Sequence, residues 1–294
     1  MAELPVPYRS SDASRAITPS AADRTYRPLT RRQARMRLYL PTFSLLAVLY
    51  VAVFQGYYLA TLGIVAMVAV LLARRIYQSR LALRLVRENE EAVAQLNSGD
   101  LESAEAAFDR IATRARPVPI LHALAVFNRG AVAMRQGRVD EAITYIEAAR
   151  ASGWLNEPAY QLAPLAFTAT ATCHAIKGDL DVAEAAQKQA HAIVSPSKRG
   201  LTMVLDAIIA CRRGAFAKVA ADVDGNWSTA EGALNAAQLR TLRLLRAFAA
   251  EHLGEDASAV AKRVEAARPS RAGEQSYVAI EWPEYRDFLA RHAV

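Results

Sequence analysis

The chain has 294 residues, a formal net charge of +7 and a sequence pI near 9.6. The charge is uneven: residues 1–37 carry eight Arg against three acids, residues 74–87 add five Arg and no acid, and residues 88–294 hold 23 basic against 26 acidic side chains. The long C-terminal part thus lacks the basic excess that follows a phosphate backbone, which argues against nucleic-acid binding. The two cysteines, Cys173 and Cys211, form no C-x-x-C and argue against a zinc site or redox pair.

Residues 1–30, rich in Ser, Ala, Pro and Arg without a periodic apolar face, are expected to be a disordered tail. Residues 31–37 form a basic juxtamembrane segment containing Arg31, Arg32, Arg35 and Arg37, with the start of a helix on the membrane surface. Residues 38–73 contain no Asp, Glu, Lys, Arg or His. A single helix of that length would span about 54 Å, far beyond a hydrocarbon core of about 30 Å. Gln55-Gly56-Tyr57-Tyr58 offers a break, since amide, glycine and interfacial tyrosines suit a turn at the membrane–water boundary. The expectation is a transmembrane hairpin with arms 38–54 and 58–73 and Pro41 in its first turn.

The arginines on both flanks, Arg74 and Arg75 following the stretch, argue that both ends lie on the cytoplasmic side. A re-entrant hairpin, or one span with an extracytoplasmic domain, is the alternative. Arg outnumbers Lys by 31 to 5 and alanine is abundant, which points to a GC-rich bacterial gene and hence a bacterial inner membrane.

After Arg74 the chain repeats itself. Gly99, Gly137, Gly178, Gly214 and Gly254 each separate two helix-like segments, at spacings of 38, 41, 36 and 40 residues. Such a glycine ends one helix in a left-handed turn and lets the next fold back. An alanine five residues on (Ala104, Ala142, Ala183, Ala259) permits close helix packing, with Val219 in its place in the fourth copy. Pro119, Pro158, Pro196 and Pro283 suit helix starts, and Ser228-Thr-Ala-Glu231 has the spacing of a capping box. Residues 270–294 differ, with Tyr277, Trp282, Tyr285 and Phe288 around a short helix that suits a cap over the last repeat.

These segments resemble tetratricopeptide repeats over Val86–Pro269; the second copy places Asn128, Gly130, Gly137, Ala142 and Ala149 at the family's preferred positions. The fold expected is all-α: a transmembrane helical hairpin, then an α-solenoid of about five helix pairs over residues 74–269. The resemblance implies a protein-binding groove lined by the first helix of each pair: Phe127, Asn128, Ala131, Met134, Leu165, Thr168, Thr172, Val204, Ile208, Leu244 and Phe248. These are mostly apolar, and Phe127 and Thr168 stand where a carboxylate-binding relative has basic or amide groups. An apolar peptide or helix is therefore the expected ligand.

The five histidines are scattered and none sits in a metal-ligand spacing. No phosphate loop or nucleophile motif occurs. The expected function is a membrane-anchored scaffold without enzyme activity or cofactor, its partners being proteins and the bilayer. Self-assembly into a homo-oligomer and an extracytoplasmic assembly factor are the alternatives.

Overall fold

The computed structural model describes residues 26–54, 58–156, 162–268 and 276–294. Among them every regular element is helical. The chain opens with α1 (Arg31–Phe54) and α2 (Tyr58–Ser98), which pack against each other. The expected turn at residues 55–57 lies outside the described residues. The basic segment is no separate surface helix: Arg31 begins α1, which runs unbroken through Pro41, so that proline sits inside the helix rather than in its first turn. The second apolar stretch and the first repeat helix are likewise one element, the 41-residue α2. Nothing between Tyr58 and Ser98 except Gly63 breaks helical propensity.

Five helix pairs follow. They are the end of α2 with α3 (Leu101–Arg114), α4 (Pro119–Arg135) with α5 (Val139–Ala151), α6 (Ala163–Lys177) with α7 (Leu180–Ile193), α8 (Met203–Arg212) with α9 (Phe216–Gly225), and α11 (Ala236–His252) with α12 (Ala257–Ala266). A short helix, α10 (Trp227–Ala233), and 3-10 turns at Trp154–Asn156 and Pro196–Thr202 lengthen the joints between pairs. These insertions explain periods longer than a bare helix pair requires.

All five turn glycines have positive φ, between 72° and 92°. At each, the glycine N–H donates to the carbonyl three residues back and the next N–H to the carbonyl five back, as in Gly137 to Met134 (3.0 Å) and Arg138 to Ala133 (2.8 Å). That double bond satisfies the orphan carbonyls of the helix end and needs a left-handed residue. Beyond the turn, Ala104, Ala142 and Ala183 have no exposed surface, and Val219 in the fourth copy is equally buried. Gly130 answers the same demand from the other helix: a Cβ there would come within 2.8 Å of Ile146 Cγ1.

Helix starts follow the sequence in part. Pro119 opens α4, Pro283 opens α13 (Pro283–Arg291), and Pro196 opens a 3-10 turn after Ser195. Pro158 lies outside the described residues. Ser228 and Glu231 lie inside α10 rather than at a capping box; that motif forms instead at Asn235 and Gln238, at the start of α11. The amide and side chain of Asn235 exchange 3.0 Å bonds with Gln238.

Two hydrophobic clusters make the core. One gathers α2 to α6 around Phe108, Ile111 and Ile146; the other gathers α6 to α13 around Leu205, Leu242 and Phe248. Helix α6 serves both, and Tyr277 packs against both.

Residues 26–30, expected in the disordered tail, are instead fastened to the repeats. The Tyr26 hydroxyl donates to Asp109 (3.0 Å), its ring lies 5.0 Å from that of Tyr145, and Pro28 is buried. The Trp154 indole N–H donates to the Leu29 carbonyl (2.7 Å), and the Arg31 N–H to that of Ser152 (3.3 Å). Such contacts arise from residues 83 and 125 positions away, so local pattern carries no sign of them.

Candidate functional site

The residues expected to line a groove sit on α4, α6, α8 and α11, and they divide into two sets. Phe127, Ala131, Met134, Thr168, Thr172 and Val204 are partly exposed, and Leu165 keeps 37% of its surface. Asn128, Ile208, Leu244 and Phe248 are buried. Asn128 is spent on structure, its amide donating to Asn89 Oδ1 on α2 (2.9 Å). In the second half of the array the C-terminal segment packs over one place expected to face a ligand, that of Phe248.

Phe248 is the floor of that place. Around its ring stand Trp282 (5.3 Å), Tyr285 (5.2 Å) and Phe288 (5.4 Å), all edge-on, the geometry that sets a ring's positive edge on its neighbour's face. Tyr285 is fully buried, which pushes its hydroxyl well above the ordinary tyrosine range. Glu251 of α11 holds Arg291 and is hydrogen-bonded to His292 Nε2 (3.0 Å). Burial pushes the Glu251 carboxyl up, but the bonds from His292 and Arg291 outweigh it and leave it lowered.

The same segment then reaches back along the turns. Arg212 at the end of α8 donates to the carbonyls of Ile176 (2.6 Å) and Glu281 (2.9 Å), with its guanidinium 4.9 Å from the Trp282 ring. Ile280 lies against Gly137, where a Cβ would collide with its Cδ1. Residues 276–292 therefore strap the fifth pair to the second. The array also curls on itself, since Asn235 before α11 donates to Asn97 at the end of α2 (3.3 Å). The cluster of aromatics in the sequence signalled a cap; its reach over four pairs had no local signal.

A buried ion network holds the first two pairs. Arg129, 4% exposed, pairs with Glu105, Asp109 (3.1 Å) and Glu141 (3.4 Å) and covers the Tyr145 ring at 5.1 Å. Arg138 also holds Glu105 (2.9 Å) and Glu141 (2.6 Å), and Gln136 donates to Glu105 (2.6 Å). Burial alone would raise the Glu105 carboxyl; Gln136 and the two guanidiniums overcome it and lower it. A buried arginine shared among three carboxylates fixes the register of α3, α4 and α5. Arg246, eight residues before Gly254 as Arg129 is before Gly137, repeats the device with Asp224 and Glu255 (both 2.9 Å).

The second surface is the base of α1 and α2. Arg31, Arg32 and Arg35 share an open hollow of about 520 Å³ with Met36, Tyr39 and Phe43. Arg37, Arg74 and Arg75 are exposed. Cys173 and Cys211 are buried free thiols pushed up to about 12 by burial. Among the described residues no group of three or more His, Cys, Asp or Glu gathers as a metal site.

Helix pairs stacked through repeated glycine turns define an all-helical repeat array among the described residues. A tetratricopeptide repeat family model matches residues 89–157, the end of α2 through the turn after α5. That stretch is similar to tetratricopeptide repeats, and the helix pairs that follow continue the same architecture. No curated protein and no solved structure matches the chain.

Proposed function

We propose that the chain is a membrane-tethered scaffold that holds a protein partner at the cytoplasmic face of a bacterial inner membrane. The observation that carries it is the union of a repeat array with an apolar helical stretch that the protein leaves unburied. Over Leu62–Ser98 the window apolar enough to cross a membrane is 0% buried within the protein. A core helix would hide such a face. Val65, Val70 and Leu72 on α2, with Phe43, Tyr50 and Phe54 on α1, are all more than half exposed. Lipid supplies the burial that the repeats do not.

The hairpin reading, with arms 38–54 and 58–73, is supported by Arg37 and Arg75. Each stands seventeen residues from its end of the turn, Phe54 and Tyr58, so both lie about 26 Å from it along helices rising 1.5 Å per residue. A band of arginine at one level suits a single membrane face. For the partner, the partly exposed set on α4 and α6 (Phe127, Ala131, Met134, Leu165, Thr168, Thr172), with Val204 at its edge, fits an apolar peptide or helix.

A reporter enzyme or fluorescent protein fused after Val294, with carbonate extraction of the membranes, tests the address. Retention in the pellet with cytoplasmic signal is expected. Extraction by carbonate, or signal from outside, would sink the reading. Crosslinking of membranes carrying a photoreactive residue at position 165 is expected to capture a protein that the same residue at the buried position 244 does not.

A further inference from the structure

We propose that the base of α1 and α2 is a binding site for the phosphate of an anionic phospholipid, with Arg32 and Arg35 as its fork and Tyr39 and Phe43 along the lipid's glycerol and acyl region. The proposal rests on the membrane reading above.

No Asp or Glu occurs between Arg31 and Arg87. Arg32, Arg35 and Arg37 on α1 and Arg74, Arg75 and Arg80 on α2 are all exposed. Among the described residues none of the six has an ion pair or side-chain hydrogen bond. Many arginines of the repeat domain are paired instead: Arg114, Arg129, Arg138, Arg213, Arg246 and Arg291 each hold a carboxylate. Six like charges without a counter-charge, set beside an apolar helix pair, favour an anion from outside the chain.

The hollow on α1 says which anion. Arg31, Arg35, Tyr39 and Phe43 follow one another at four-residue spacing, so they form one stripe along the helix. The stripe passes from guanidinium to phenol to phenyl in the direction of the turn, over about 12 Å from Arg35 to Phe43. Tyr39 and Phe43 are 52% and 67% exposed, with ring centroids 6.4 Å apart. A phospholipid has the same gradient, phosphate to glycerol ester to acyl chain, and would lie along the stripe with each part beside its match. Guanidinium binds phosphate bidentately, which favours arginine here over lysine. A free phosphate would satisfy the arginines and leave both rings in water.

Full-length protein in a neutral detergent, given equal phosphatidylglycerol and phosphatidylcholine of one chain length, tests this by native mass spectrometry. Preferential retention of phosphatidylglycerol is expected. Arg32→Gln with Arg35→Gln should reduce it by roughly tenfold or more, each cation near an anionic headgroup being worth about 1 kcal/mol. Phe43→Ser should weaken retention of both lipids while keeping the preference. Arg263→Gln with Arg268→Gln, on the repeat domain, should change nothing. Equal retention of the two lipids, undiminished retention by the double variant of α1, or competition by millimolar inorganic phosphate would overturn the proposal. Flotation with vesicles separates the two readings: full-length protein that floats with neutral vesicles yet retains the two lipids equally keeps the membrane anchor and loses the lipid site, whereas floating with neither neutral nor anionic vesicles removes both.

Discussion

The indole N–H of Trp154 donates to the carbonyl of Leu29 at 2.7 Å, joining positions 125 residues apart. Leu29 stands two residues before α1, and Trp154 follows α5. The apolar helix pair is therefore fixed to the repeats twice, once through the unbroken α2 and once through this contact. Two attachments remove the swivel that a single helix would allow and set the pose of the array relative to the apolar pair.

Replacing Trp154 by Phe keeps a ring beneath Arg31 (5.9 Å in the native chain) but deletes the donor. The loss is expected to cost about 1 kcal/mol, or a fall of about 2–4 °C in Tm, measured by scanning fluorimetry in detergent. Limited proteolysis near Arg27 should quicken. A chain lacking residues 1–73 should still fold to a soluble helical domain by circular dichroism, but with lower Tm than one lacking only residues 32–73 replaced by a flexible linker. Equal Tm in those two would show that residues 26–31 add nothing to the domain.

The glycines separate two kinds of demand. Gly130 has an ordinary helical backbone but no room, with Ile146 Cγ1 at 2.8 Å and Ala142 O at 3.2 Å from an added Cβ. Gly214 has room but a φ of 74°. Gly130→Ala forces α4 and α5 apart and should cost about 1–3 kcal/mol as an overpacking change. Gly214→Ala meets no atom and should cost about 1–2 kcal/mol from the left-handed backbone alone. A double-mutant cycle separates them: Ile146→Ala, which removes the Cγ1, should couple favourably with Gly130→Ala and not with Gly214→Ala, by chemical denaturation.

That difference also explains what could be read from sequence. A left-handed helix end has few chemical solutions, so five spaced glycines announced five turns, and small residues beside them announced the pairs. The positions of groove residues followed from counting along α4, α6, α8 and α11. Which of them stay available did not, because Phe248 is covered by a segment outside the repeat. Tyr26, Pro28 and Leu29 carry no periodicity, and their partners, Asp109, Tyr145 and Trp154, belong to other helices. Ser228 and Glu231 had the right spacing for a capping box, yet the helix that begins near them starts at Trp227. A four-residue pattern specifies a cap only where the chain also turns there.

Phe248 tests whether the strap is part of the fold. It is 1% exposed and its ring meets those of Phe216, His252, Trp282, Tyr285 and Phe288. Phe248→Ala should cost about 3–5 kcal/mol, the range for a large core aromatic. Hydrogen exchange should rise in residues 283–291 together with α11, as one unit, and stay unchanged in α3 to α5. Exchange rising in the strap alone, with α11 protected, would instead mark the strap as a removable occupant of the array.

The carboxylates beneath the strap and in the Arg129 network predict the response to acid. Glu105 and Glu251 both have folded pKa values lowered from the ordinary 4.5, despite burial that acts the other way. A carboxyl lowered on folding contributes stability that is present above its unfolded pKa and lost as pH falls through the folded one. Tm should therefore be flat from neutral pH to about 5 and fall below about 4.5. The two sites report on different places: Glu105→Gln should flatten the acid limb of exchange in α3 to α5, and Glu251→Gln that of α13. Glu251→Gln also leaves Arg291 and His292 without a charged partner, so its strap should exchange faster than wild type at pH 7 and converge with it near pH 3. A variant that kept the wild-type difference between those two pH values would place the acid-sensitive group elsewhere.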